Sequence, residues 1–291
     1  MPRKPVTPTR VEHLTHRSRE AAEDLVAVEE PLQVLLEYGE GHARKEAPLA
    51  ATMRTPGHDV DLVTGFLFGE GVIGSTDDVL GVRHCTQSET PNNVVRAKLA
   101  PHVAVPVHLL ERTLTMNSAC GVCGERTLDA LDKAGCSPIA VAPGSIHPGA
   151  IRTALASLDR AQAFFRNTGG THGAALFDPE GVLAVHREDV GRHNALDKAI
   201  GAWLPTRSSR NAGFAVVSSR ASFELVQKTV RAGIPMLVAL GAASSLAIET
   251  AVRFDVTLVG FARQDRLTVY AGGRRIADEG GDERFIELGA E

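Results

Sequence analysis

Two cysteines separated by two residues carry the most specific chemistry in the chain. Cys120 and Cys123 lie in the stretch MNSACGVCG, residues 116–124, with Gly121 and Gly124 beside them and Asn117 and Ser118 ahead. That spacing suits half of a zinc knuckle, a redox disulfide, or a thiolate that accepts a sulfur atom and hands it on. A structural zinc site needs four ligands, usually in two pairs, and here only Cys136 follows, with Cys85 or a histidine as the nearest fourth candidate. A zinc deaminase carries H-x-E with P-C-x-x-C downstream. His186, Arg187 and Glu188 supply the first part, but no cysteine follows Cys136, so the signature is incomplete and in the wrong order. A thioredoxin-type site places C-x-x-C after an early strand, heading a helix in a small βαβ domain. Residues 125–135, ERTLDALDKAG, read as such a helix, but the surroundings do not match that fold. Two inert buried thiols are the plain alternative, against which the glycines, Asn117 and Ser118 indicate an exposed loop. Cys85 and Cys136 read as small buried hydrophobes.

A second concentration of reactive types lies further on. His172 follows a glycine pair in TGGTHGAALF, and HREDVGRHNALDK packs His186, Arg187, Glu188, Asp189, Arg192, His193, Asp197 and Lys198 into one short stretch. Asp189 is placed to cap the helix that follows, with Arg192 and His193 in its first turn. The competing reading is a surface network of ion pairs. Ser218, Ser219, Arg220 and Ser222 follow one apolar run, and Gly241, Ser244 and Ser245 follow the next. Small hydroxyls, one arginine and free helix N–H groups would hold an anion such as a phosphate or pyrophosphate. The competing reading makes Ser222 and Ser244 simple N-caps and pairs Arg220 with a surface carboxylate.

The elements that must position these groups follow from patterning. The C-terminal third alternates apolar runs with amphipathic segments: RHNALDKAIGAWL, GFAVVSS, SFELVQKTVRAG, IPMLVAL, SSLAIETAVRFD, VTLVGFAR and LTVYAG. This predicts an α/β domain over residues 148–280 with a mixed, largely parallel sheet covered on both faces. Ahead of it, HPGAIRTALASLDRAQAFFRNTGG predicts one helix with Ile151, Leu155, Leu158 and Phe165 on a single face, then a hairpin turning at PEG. Residues 21–115 predict a smaller α+β unit: a strand pair in EDLVAVEEPLQVLLEYG, a helix in PGHDVDLVTGFLFGEGVI capped by His58 or Asp59, and two more strands in VLGVRHCTQ and NNVVRAKLA. Residues 116–147 are expected as a mobile connection, residues 1–20 as a disordered basic arm and 281–291 as a tail.

Composition narrows the function classes. The chain has 291 residues, 43% of them hydrophobic, enough for a packed core built on Val, Leu, Ile and Ala, since aromatics make up only 4%. A formal net charge of −4 speaks against a general nucleic-acid or membrane-surface binder. No apolar run approaches the roughly 18–20 residues that span a bilayer. The basic start lacks the apolar stretch of a signal peptide, so a cytoplasmic protein with reduced thiols is expected.

The ordered set GFLFGEGVI, SACGVCG, TGGTHGAALF, HREDVGRHNALDK, VSSRASFELVQK and LVGFARQDRLTVY resembles the formate dehydrogenase accessory sulfurtransferases of the FdhD/NarQ type, from about residue 24 to 272. The resemblance implies a three-layer, cytidine-deaminase-like C-terminal domain without the deaminase metal site. It implies a sulfurtransferase that takes persulfide sulfur from a cysteine desulfurase onto Cys120, with Cys123 as helper or alternate carrier. The sulfur would pass to the molybdenum bis(molybdopterin guanine dinucleotide) cofactor before that cofactor enters formate dehydrogenase. It further implies a cofactor-binding stretch at Phe261, Ala262, Arg263, Gln264, Asp265 and Arg266. The pocket would be completed by Ser218, Ser219, Arg220, Ser222, His172, Asp189, Arg192 and His193, and no resident metal is expected. Family members often carry Cys at the position of Ala262 and Gly at that of Asp265; a carboxylate beside a pyrophosphate repels it, with Arg263 and Arg266 to offset it. A charged turn between edge strands is the plain reading of the two arginines. A cofactor-binding chaperone that moves no sulfur is the alternative function, a zinc-binding adaptor a third, and a homodimer is an open possibility.

Overall fold

Alternation of apolar residues builds the N-terminal half. Strand β3 (Glu30–Tyr38) buries Leu32, Val34 and Leu36 and turns Gln33 outward, as a half-buried strand must. In the computed structural model, the described residues are 4–86, 92–106, 135–207 and 212–278, with the strand at 114–116 and the single residues Leu109 and Leu131. β3 joins β4 (Lys45–Arg54), β5 (Val79–His84), β6 (Val94–Leu99) and β7 (Leu114–Met116) in a five-stranded sheet of order β5-β6-β3-β4-β7.

Before this sheet, β1 (Val6–Leu14) and β2 (Arg19–Ala27) form a two-stranded hairpin. Part of the stretch expected as a disordered arm is therefore ordered. Its turn is closed locally, with the Thr15 hydroxyl accepting from the N–H groups of Arg17 and Ser18 at 3.2 and 3.0 Å. Valine and threonine then favour the extended chain that follows Pro5.

The C-terminal half starts with α2 (Pro148–Ala161) and α3 (Ala163–Thr168), where one continuous helix is expected. The break falls at Gln162, whose ψ is 70°. Its cause is distant in sequence: the Glu188 carboxylate accepts from the N–H groups of Phe164 and Phe165 at 3.0 and 2.7 Å, capping a new first turn. Phe165, expected on the buried face, is exposed as a result. The predicted stop does hold, with Gly169 in the left-handed region at φ 64°.

The remaining elements follow in the predicted order: β8 (His172–Phe177), β9 (Leu183–Asp189), α4 (Arg192–Trp203), β10 (Phe214–Val217), α5 (Phe223–Ala232), β11 (Met236–Ala239), α6 (Ser245–Arg253), β12 (Thr257–Gly260) and β13 (Thr268–Ala271). The sheet order is β13-β12-β11-β10-β8-β9. Only β10–β11 and β11–β12 are parallel; the other three pairings are antiparallel. The sheet is mixed as expected, but its largely parallel character is corrected, since antiparallel pairings outnumber parallel ones by three to two. Parallel neighbours need a crossover element, and only α5 and α6 provide one here, whereas the turns at 178–182 and 261–267 return the chain antiparallel.

Helices cover both faces of this sheet. On one side Ile151, Ala154 and Leu158 of α2 meet Phe177, Phe214 and Val238, with the two phenylalanine rings stacked 5.5 Å apart. On the other side α4, α5 and α6 share a core with Leu176, Val217, Leu237 and Leu258. That core continues without interruption into α1 (Asp59–Gly69) and β3. α1 is buried nearly all round, as its lack of a polar face requires.

The crossing of α1 and α4 rests on two glycines. A Cβ at Gly65 would fall 1.9 Å from the Asp197 carbonyl oxygen, and one at Gly201 would fall 2.0 Å from that of Asp61. The backbones thus touch directly. Glycine inside a helix normally costs about 1 kcal/mol against alanine. Replacing Gly65 or Gly201 by Ala is nevertheless expected to destabilise the protein, by about 1–3 kcal/mol net, because the helices must separate. Urea unfolding checks the sign: stabilisation would show that this contact yields easily.

Candidate functional site

Parallel neighbours β10, β11 and β12 end at the same edge of the sheet, and there the chain places residues 218–222, 241–244 and 261–266. Antiparallel β8 begins at this edge and β9 ends at it, since Ala174 pairs with Val217 and His172 with Asp189. The N-termini of α4, α5 and α6 open here as well, each with unbonded backbone N–H groups. Two sequence clusters far apart in number therefore meet at one edge, the usual place for a ligand in an α/β sheet.

Hydroxyls link the two histidines to the strand ends. The Ser218 hydroxyl accepts from Gly173 N–H at 3.0 Å and lies 3.4 Å from His172 Nδ1. Burial pushes the His172 imidazole below its ordinary pKa, and the charges of Arg192 and His193 push it the same way. The neutral form of the His172 ring is thereby favoured. His193 Nε2 lies 3.4 Å from the Ser222 hydroxyl and 3.7 Å from Glu224 Oε2. Ser222 occupies the N-cap position of α5, but its hydroxyl makes no cap bond to the helix backbone. The cap reading holds instead for Ser244, which accepts from Ala247 N–H at 3.3 Å. The Nε of Arg192 is buried with no hydrogen-bond partner among the described residues.

Other predicted site residues are placed differently. Asp189 is wholly buried, and its two oxygens accept from Thr55 N–H (3.1 Å), Gly191 N–H (2.9 Å) and the Asn194 amide (3.2 Å), with Lys198 Nζ at 2.7 Å. It holds the start of α4 rather than facing solvent. Ser219 is also buried, its hydroxyl donating to the Arg220 carbonyl at 3.0 Å. Arg220 is exposed, without the carboxylate partner of its plain reading among the described residues. Gly241 lets the chain pass it: a Cβ there would fall 2.9 Å from the Arg220 backbone.

In the 261–266 loop, Phe261 is exposed at φ 46°, whereas Ala262 is buried in the core beneath α2. Arg263 is tied back to the strand ends, donating to the carbonyls of Leu240 (2.7 Å) and Ala262 (2.8 Å). Gln264 exchanges hydrogen bonds with Arg152 at 2.8 and 3.1 Å, which anchors the loop to α2. Asp265 and Arg266 are exposed.

Cys120 and Cys123 lie outside the described residues. The strand that leads to them does not: β7 runs parallel to β4 with Met116 opposite Thr52. Thr52 in turn meets Asn194, whose amide donates to its hydroxyl at 3.2 Å, and Lys198 Nζ donates to the Thr55 carbonyl at 2.8 Å. The chain thus enters the cysteine segment beside the start of α4. Among the described residues no cluster of three His, Cys, Asp or Glu side chains could hold a metal ion, and no helix is long and apolar enough to cross a membrane.

Glu224 and the Thr52, Thr55 and Asn194 contacts were not singled out from sequence. Glu224 carried a usable signal, as an acid in the first turn of a helix two residues after a hydroxyl. Its carboxyl is held down at about 2, chiefly by His193 and also by Ser222 and its own backbone N–H, although burial opposes this. A depressed folded pKa gives stability that is complete above the ordinary value of 4.5 and is lost as pH falls toward about 2. The stability difference between the wild type and Glu224→Gln should therefore be largest near neutrality and shrink through that acid window. Urea unfolding at several pH values measures it; a pH-independent difference would contradict the His193 contact.

The family model described as "FdhD/NarQ family" matches residues 27–277. A protein of Streptomyces avermitilis named sulfur carrier protein FdhD is 44% identical over 262 residues, covering 87% of this chain and 89% of its own. One of the same name from Mycolicibacterium paratuberculosis is 41% identical over 272 residues, covering 92% and 97%. In fold, the chain is similar to the crystal structure of a protein provisionally described as a formate dehydrogenase accessory protein from Desulfotalea psychrophila. The TM-score is 0.72 at 23% identity, over 94% of this chain and all of that one. With the match running through both sheets and the edge where the histidines meet the strand ends, this chain belongs to the FdhD/NarQ family.

Proposed function

We propose that this protein is a sulfur carrier required for formate dehydrogenase activity, acting as a sulfurtransferase through Cys120. The observation that carries the reading is the path of β7, which brings the chain beside Thr52 and the start of α4 just before the cysteines. Cys120 stands four residues beyond Met116, a reach of up to about 14 Å for extended chain. The relatives' shared name, sulfur carrier protein, supports the same role.

In the first step a cysteine desulfurase presents a persulfide, and the Cys120 thiolate attacks its outer sulfur. The donor's S–S bond breaks, the donor cysteine leaves as a thiolate, and Cys120 holds the persulfide, with no net change in oxidation state. Gly121 and Gly124 each follow a cysteine, and glycine is the residue type least restricted in backbone angle. The acceptor is the molybdenum bis-guanine-dinucleotide cofactor, bound as substrate at the carboxyl ends of β10 to β12. Its pyrophosphate suits the free N–H groups of α5 and α6 together with Arg220, Arg263 and Arg266, while His172, Arg192 and His193 stand on the adjoining side. The layered C-terminal half, with helices on both faces of its mixed sheet, supports the deaminase-like architecture. The protein works in the cytoplasm, where the thiols stay reduced.

Replacing Cys120 by Ala should abolish formate dehydrogenase maturation while leaving unfolding by urea unchanged. Mass spectrometry after incubation with a desulfurase and cysteine should find one added sulfur on the Cys120 peptide. An unmodified peptide, with maturation intact in the variant and impaired in Arg220→Ala, would instead make the protein a cofactor-binding chaperone. Stoichiometric zinc in the purified protein would favour an adaptor.

A further inference from the structure

The outward face of the N-terminal sheet carries a second concentration of charge, separate from the strand ends of the C-terminal sheet. A cavity of about 600 Å³ opens over β5 and β6, with Gly81, Arg83, Cys85, Arg96, Lys98 and Glu37 in its lining. Strand register puts them together. Arg83 lies directly across from Arg96, and Gly81 across from Lys98, so three cations occupy two rungs of one face. Cys85 N–H donates to the Val94 carbonyl at 2.9 Å, which extends the ladder and sets Cys85 on the same face as Arg83.

Like charges directly opposed on a sheet repel, and the protein relieves this only in part. Arg96 pairs with Glu46, while Glu37 is shared between Lys98 at 3.5 Å and Arg44 at 3.3 Å. Arg83 has no carboxylate partner among the described residues. Arg44, Arg83, Arg96 and Lys98 thus face two carboxylates, a local excess of positive charge on a chain whose net charge is −4. Gly81 adds room, since a Cβ there would meet nothing within 4 Å. His84 also borders the cavity but is engaged by Asp59 at 3.3 Å.

We infer that this cradle is an anion site for a multivalent oxyanion of the phosphate or diphosphate class. Two guanidiniums and an ammonium supply directed donors to several oxygens at once, and a doubly charged ligand offsets the repulsion between Arg83 and Arg96 that the Glu46 pair leaves. Among the described residues no Phe, Tyr or Trp lines the cavity, so recognition rests chiefly on the oxyanion group itself. β5 is an edge strand, and cations on edge strands also discourage pairing with other chains. That role needs no anion.

Cys85, half-buried in the lining, reports on occupancy. Alkylation of the full-length protein by iodoacetamide, a neutral reagent, is followed peptide by peptide at low ionic strength with increasing pyrophosphate. Saturating pyrophosphate should slow modification of Cys85 about tenfold and leave Cys136 unaffected. Arg83→Gln should raise the concentration needed about tenfold, the effect of losing one charge-assisted contact. Arg220→Ala, at the other sheet, should change nothing. Stronger protection by pyrophosphate than by ADP assigns the free anion; stronger protection by ADP assigns a nucleotide's diphosphate. Unchanged Cys85 reactivity at millimolar pyrophosphate, or equal protection in Arg83→Gln, overturns the site and leaves the arginines as guards of the strand edge.

Discussion

Everything at the candidate edge depends on how closely α1 and α4 can approach. Gly65 and Gly201 bring backbone against backbone, and no other residue type fits either position without moving a helix. This close crossing carries the end of β4 to the start of α4, within reach of Thr52, Thr55, Asn194 and Lys198. β7 pairs with β4, so the same contact sets where the chain enters its cysteine segment. A packing constraint between two helices thus becomes a constraint on where the chain enters its cysteine segment.

Buried charge reinforces the crossing. Lys198 reaches Asp189 at 2.7 Å and Lys228 reaches Asp197 at 2.8 Å, all four side chains almost entirely removed from water. Burial pushes the Asp197 carboxyl up, against the pull of Lys228. Such pairs contribute little net stability, but removing one partner strands the other and costs about 3–5 kcal/mol. They consequently penalise every arrangement in which β9, α4 and α5 are not in register. Asp189 shows the difference between nearness and contact: its position in a polar cluster suggested a pocket wall, yet its role is to tie Thr55 to Gly191 and Asn194.

The regular alternation of β10 to β13 with α5 and α6 was legible because each element carries its own period and its own stop, such as Gly233 at φ 68°. Contacts between distant residues were not legible. The break at Gln162 is imposed by Glu188, and no local signal in a helical run of alanines and phenylalanines foretells it. The antiparallel share of the sheet depends on which strand each hairpin joins, and apolar runs do not record that. Phe261 was found by resemblance and Ala262 with it, but only packing separates the exposed ring from the buried methyl. The cysteine pair was recognisable from type and spacing, while its choice among zinc, redox and sulfur chemistry depended on the motifs around it.

The placement of the acids gives the edge its electrostatic character. Glu188 is used inside to cap α3, Asp189 to hold α4, Asp197 to meet Lys228, and Glu224 to face His193. These four carboxylates are thereby engaged by the fold. Arg220, Arg266 and the free N–H groups of the helix starts remain on the open side, and Arg263 is held by two carbonyls that leave its charge unneutralised. Burial and the charge of Arg192 favour the neutral form of His172, which offers a lone pair or a proton without adding to the repulsion between cations. Asp265 is the exposed exception in the loop, and the chain turn that closes through Arg263 N–H to the Arg266 carbonyl at 2.8 Å flanks it with an arginine on each side. An anion approaching this edge therefore meets positive charge and unpaired donors first, and the carboxylates that would repel it are already bound behind them.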